Sequence, residues 1–129
     1  PRMNVVDSSA WLSYFAGDQN AAVFGKAIEN LEKLLVPSIT ITEVFKNIMR
    51  QTGEEHALSA IAHMKQGRVV ELDSELAVDA GHFGVVHKLP LADSIIFATA
   101  QKFNATIWTQ DSDFKGLPRV KFYTKVKST

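Results

Sequence analysis

Four carboxylates in this chain stand where a folded protein has little use for charge. Asp7 directly follows the short β-prone run Met3-Asn4-Val5-Val6, and Asp111 closes the run Ala105-Thr106-Ile107-Trp108 after Thr109-Gln110. Asp93 lies in the first turn of LPLADSIIFATAQKF, where Ile95, Ile96, Thr99 and Phe103 recur at helical spacing and Phe97 and Ala100 cover the flank. A helix apolar almost all round is a buried one. Glu43 begins another helix, on the face opposite Ile41, Val44, Phe45, Ile48 and Met49. An unpaired buried carboxylate is costly, so acids that end core strands and open a core helix call for a cation between them. Oxygen ligands without Cys or a required His suit Mg²⁺ or Mn²⁺, which also accept phosphate oxygens of a substrate. An ion held this way activates a water for attack on phosphorus, and a phosphodiester is the natural substrate. The glycines are scattered singly, which argues against a phosphate-cradling loop.

Short apolar runs alternating with helical patterns must position these acids. Strands are expected at 3–6, Leu34–Pro37, Arg68–Leu72 and 105–108, with an edge strand at Val120–Tyr123. Helices are expected over Ala10–Phe15, from Gln19 through Phe24, Ala27, Ile28, Leu31 and Leu34, from Ile41 onward, over Glu54–Gln66 with Leu58, Ile61, Ala62 and Met64 inward, over Glu75–His87, and over Leu91–Phe103. Strands this uniformly apolar are parallel and covered on both faces, giving an α/β sandwich. Ligands bind such sheets outside the carboxyl ends of the strands. Asp7 and Asp111 end strands while Glu43 and Asp93 start helices, so all four can reach one edge. Each also has a plainer reading: Asp7 as a helix N-cap, Glu43 as a solvated first-turn acid. His56 and His63 fall on an exposed-looking helix and His82 and His87 on a packed one, and all four read as structural. Lys125–Thr129 is a polar tail expected to fray.

With 129 residues, 46% hydrophobic and 22% charged, the chain is expected to form one globular domain. Lys plus Arg and Asp plus Glu each number 14, so any contact with nucleic acid rests on local clustering of cations. The lack of cysteine fits a reducing cytoplasm. No apolar run approaches a membrane span and no signal-peptide pattern opens the chain, so no membrane partner is expected.

VVDSSAW, TITEVFK, LPLADSIIFATA and TIWTQDSDF resemble the ordered acidic motifs of the PIN-domain ribonucleases, and the DSSAWLSYF opening is most similar to VapC-type toxins. The resemblance covers essentially all of 1–129 as a single PIN-like domain. It implies a three-layer α/β/α sandwich with a central mostly parallel sheet, and a Mg²⁺-dependent endoribonuclease that cuts RNA, often as a homodimer, neutralised by an antitoxin protein. Carried over by position, Asp7, Glu43, Asp93 and Asp111 are the catalytic, metal-binding acids. Asp113 is either a fifth ligand or the N-cap of the turn Ser112–Lys115. Thr109 matches the hydroxyl residue before the last acid, and Ser8 is placed to orient Asp7; either also reads as a local cap. Trp11, Tyr14 and Phe15 supply more aromatic surface than one short helix can bury, which makes them the expected partner-binding groove. Two rivals stand beside this reading. One is a phosphoacceptor receiver domain using Asp73, Thr109 and Lys121, although such a domain wants paired acids after the first strand. The other is a PIN-like module that binds without cutting.

Overall fold

The structure, a computed structural model, describes residues 2–125. Pro1 lies outside them, as does the polar tail beyond Lys125. Among the described residues the strands are β1 (Asn4–Val6), β2 (Leu34–Pro37), β3 (Arg68–Val70), β4 (Thr106–Thr109) and β5 (Val120–Phe122). The helices are α1 (Ser8–Ala16), α2 (Ala21–Ile28), α3 (Ser38–Thr52), α4 (Glu54–Met64), α5 (Ser74–His87) and α6 (Leu91–Lys102). The sheet runs β3-β2-β1-β4-β5 with every neighbouring pair parallel.

Period-two alternation along these short strands sends side chains into two cores, one on each face. Val5, Leu35 and Ile107 join Leu76 and Ala80 of α5 and Ile95 to Ala100 of α6. Val6, Leu34, Val36 and Trp108 join Trp11, Phe24, Ile28, Val44, Ile61 and Met64 from α1 to α4. The expected three-layer sandwich is therefore the observed one, and its sheet is wholly parallel. From Asp93 to Ala100 every residue of α6 is buried, as its sequence implied.

Three local expectations are corrected. The second helix stops at Ile28 rather than continuing to Leu34, because Leu34 is the first residue of β2, and a 3-10 turn at Leu31–Lys33 leaves Leu31 exposed. On α4, which packs against α3, Leu58 and Ala62 face outward while Ala57 and Ala60 are buried. β3 ends at Val70, and Glu71 and Leu72 are exposed.

The strand order places the site. From β1 the chain moves outward to β2 and β3, then returns to the other side of β1 for β4 and β5. The order reverses between β1 and β4, and the crevice beyond the strand ends at such a switch point is where open parallel sheets hold ligands. Val6 lies opposite Trp108 there, and the Asp7 amide donates to the Trp108 carbonyl at 3.1 Å.

Candidate metal centre

Asp7 takes up both roles its sequence position allowed. It leaves β1 in extended conformation and N-caps α1, one carboxylate oxygen accepting from the Ala10 amide at 3.0 Å. The Ser9 hydroxyl reaches Oδ1 and Oδ2 at 2.8 and 3.0 Å, and the Thr109 hydroxyl donates to Oδ2 at 2.8 Å. Even so, burial pushes the Asp7 pKa up to about 6; the bonds from Ala10, Thr109 and Ser9 oppose that rise, and the charge of Asp111 adds to it.

Thr109 is itself buried, and its hydroxyl accepts from the Asp111 amide at 2.8 Å. Asp111 in turn caps the 3-10 turn Ser112–Phe114 by accepting from the Asp113 amide at 2.9 Å. The cap of that turn is Asp111, not Asp113. Asp113 instead joins Asp93 and Asp111 in a group whose carboxylate oxygens lie within 4.8 Å of one another. Asp93 enters this group from the first turn of α6, buried and facing other carboxylates. Its pKa rises to about 8, first through burial, then through the charges of Asp111 and Asp7, a hydrogen bond shared with Asp111, and the charge of Asp113.

No side-chain cation relieves this crowding: among the described residues the one ion pair is Lys102 with Asp73, at 4.0 Å. Three clustered carboxylates with oxygen ligands only could hold a divalent metal, and the donor set fits a hard cation. Asp7 is electrostatically coupled to this group but stands outside it, its oxygens already engaged. Glu43 is also outside the group; it is half-buried and accepts from the Ser8 hydroxyl at 2.5 Å. Ser8 therefore orients Glu43 and not Asp7. The residue that orients Asp7 from α1 is Ser9.

Asp73 is an exposed N-cap of α5, bonded to the Leu76 amide at 2.8 Å, and takes no part in the acid group. In a receiver sheet β1 sits between the second and third strands; here it sits between β2 and β4. The topology removes the receiver reading.

Beside the acids a groove of about 690 Å³ runs between α1, α3 and α4, bordered by Ser9 and Gln110 and walled by Leu12, Phe15, Ile48 and His63. Trp11 does not reach it. Its ring is fully buried against Phe15, Tyr14 and His63, so it is a core residue and offers nothing to a partner. Phe15 lines the groove; Tyr14 is half-buried and does not. His63, expected on an exposed face, is half-buried because those three aromatic rings close over it. His87 packs on Phe83 and Phe97, in keeping with a structural role.

Residues 5–120 match the family of the PIN domain. The chain belongs to the PIN-domain family. Solved structures share the fold. A toxin–antitoxin complex from Klebsiella pneumoniae aligns with a TM-score of 0.75 at 23% identity, covering 95% of this chain and 99% of that one. Mycobacterium tuberculosis VapC20, a sarcin-ricin loop cleaving toxin, aligns at 0.74 with 21% identity over 91% of this chain and 96% of that one. DNA-bound VapBC from Salmonella typhimurium aligns at 0.73 with 14% identity over 96% and 98%. No curated protein matches the chain by sequence. In this PIN domain the switch-point crevice is the acid cluster itself.

The raised acids set a pH dependence for the metal-free protein. Asp7 and Asp93 hold protons in the folded state that the unfolded chain has released, so their contribution to stability falls as pH rises from about 4 to about 8. Thermal unfolding in EDTA should show Asp93→Asn melting above the parent at pH 8, with the gap closing toward pH 5. A gap that widens toward acid pH would contradict this electrostatic account.

Proposed function

We propose that this PIN domain is a metal-dependent endoribonuclease of the VapC toxin type, acting on RNA in the cytoplasm and held in check by an antitoxin protein. The observation that carries the reading is the unneutralised group Asp93, Asp111 and Asp113 at the switch point of a PIN sheet. Asp93, Asp111 and Asp113 would hold Mg²⁺, with Mn²⁺ as a substitute, and Asp7 and Glu43 would complete the acid set as catalytic residues. The chemistry such an ion supplies when bound is activation of a water and neutralisation of charge on the scissile phosphate.

The protein's own groups provide position. Thr109 and Ser9 fix the Asp7 carboxylate, Thr109 fixes the start of the Asp111 turn, and Ser8 aims Glu43. Burial by α6 keeps Asp93 away from bulk water and raises its electrostatic leverage on whatever cation it meets. Cleavage of single-stranded RNA should require Mg²⁺ and stop in EDTA. Asp93→Asn and Asp111→Asn should each lower the rate by orders of magnitude while melting temperature holds or rises, and Glu43→Gln should be no more severe. Asp73→Ala, which removes only a cap, should leave the rate unchanged; RNA cut equally well without Asp93 would refute the assignment.

The antitoxin fits the groove beside the acids, where Leu12, Phe15 and Ile48 can take apolar side chains and an Arg or Lys can reach past Gln110 to the carboxylates. In this reading Phe15→Ala weakens antitoxin binding, measured by calorimetry, without changing cleavage of free RNA. Trp11→Ala instead destabilises the fold by about 3–5 kcal/mol. Unchanged affinity in Phe15→Ala would move the partner to another face.

Homodimerisation has a separate surface. Among the described residues, Val78 at 72% exposure, Val85 at 81% and Val86 at 56% on α5, with Leu91 at 79% opening α6, are the most exposed large apolar side chains. The aromatic residues of α1 offer less, since Trp11 is buried and Tyr14 and Phe15 are half-buried. Val85→Asp should shift sedimentation toward monomer, and an unchanged profile would leave this strip without a role in association.

A further inference from the structure

An acidic pocket repels the phosphate backbone it is meant to cut, so the substrate needs a cationic approach next to the acids. The last part of the chain has the required composition. Residues 114–129 carry Lys115, Arg119, Lys121, Lys125 and Lys127 and no Asp or Glu, within a chain whose formal charges balance to zero. β5 is an edge strand parallel to β4, with Phe122 opposite Thr109 and the Tyr123 amide donating to the Thr109 carbonyl at 2.9 Å. It therefore emerges at the same edge as Asp7 and Asp111. Asn20 ties the two segments together, its side-chain amide donating to Gln110 at 3.0 Å and to the Thr124 carbonyl at 3.1 Å. Lys125 borders the groove at Gln110, the residue before Asp111.

Lys121 and Lys115 are held, yet they are not neutralised. Lys121 Nζ stands 4.4 Å from the centre of the Trp108 ring, and Lys115 Nζ stands 5.6 Å from that of Phe122. All three lysines are exposed, and the single ion pair among the described residues lies elsewhere. Ammonium groups steadied on aromatic faces lose less freedom when they meet a ligand. Among the described residues, none of the large exposed apolar side chains falls on this edge, which disfavours a protein partner there. The Tyr123 ring of this edge already packs against Trp108 and Phe24.

We propose that Lys115, Lys121 and Lys125 on the β4–β5 edge form a phosphate track that guides single-stranded RNA into the acid cluster without reading its bases. The proposal rests on the ribonuclease reading and adds to it the surface that holds the substrate. Phosphate contacts of this kind position a strand and carry no sequence information.

The test uses the full chain carrying Asp93→Asn, with fluorescence anisotropy of labelled oligouridylate and oligoadenylate across a salt series in EDTA. Lys121→Gln and Lys125→Gln should each weaken binding to both RNAs equally and make the slope of log K against log salt shallower by roughly 0.7 per lysine. Lys26→Gln on α2 should leave the slope unchanged. In the Asp93-intact protein the same lysine changes should raise KM for cleavage and leave kcat alone. Parental slope and affinity in the β5-edge variants, while the parent still binds and cuts RNA, would overturn the track alone and redirect the edge to another ligand. Equal losses in Lys26→Gln would also overturn it, by showing that only overall charge matters. A parent chain that neither binds nor cuts either RNA would instead overturn the ribonuclease reading, and the track with it.

Discussion

The Thr109 hydroxyl donates to Asp7 and accepts from the Asp111 amide, so one buried oxygen joins the end of β1 to the turn that follows β4. Everything else in the acidic centre is built outward from that link. It sets the position of Asp7, whose other oxygen caps α1, and it starts the turn that brings Asp111 and Asp113 toward Asp93. A hydroxyl suits this place because it can give and take a hydrogen bond at once. Valine, similar in shape, would take the partner from the part-buried Asp111 amide and leave Asp7 Oδ2 with Ser9 alone, a loss of about 1–3 kcal/mol for the amide.

The cluster sets charge against fold. Asp7 has accumulated enough donors to live inside the protein; Asp93 has almost none and depends on the first turn of its helix, whose dipole favours negative charge only modestly. The two cores on either face of the sheet pack tightly without help from any of these acids. Stability comes from the apolar layers, and the crevice between β1 and β4 carries groups that oppose it. A site of this kind persists because the surrounding cores over-determine its geometry.

Much of this arrangement was legible in the residues. The uniformly apolar strands implied parallel pairing and two covered faces, and the all-round apolar pattern of Leu91–Phe103 placed Asp93 in the core before any contact was known. What the pattern could not resolve was direction at the scale of one side chain. Ser8 and Ser9 are chemically alike and adjacent, and only the hand of α1 decides that the first faces Glu43 and the second Asp7. Trp11 looked surplus because α1 is short, but α4 closes over it through His63 and Met64, a long-range contact that local periodicity does not encode. On α4 the buried side carries Ala57 and Ala60 where the pattern offered Leu58 and Ala62, because the helix packs against α3, a contact its own period does not encode.

The link between Asp7 and Thr109 spans 102 positions of sequence. Contacts of such separation form late, since the loop they close must first lose its entropy. As the polypeptide leaves a ribosome, β1 and α1 emerge before the other described elements, and Asp7 waits 102 residues before its partner exists. Asp111 and Asp113 follow Thr109 by a few residues and arrive with it. A nascent chain that stops short of Thr109 therefore possesses no acid cluster, whatever helices it has begun to form. The order of synthesis itself postpones the moment at which the acids meet.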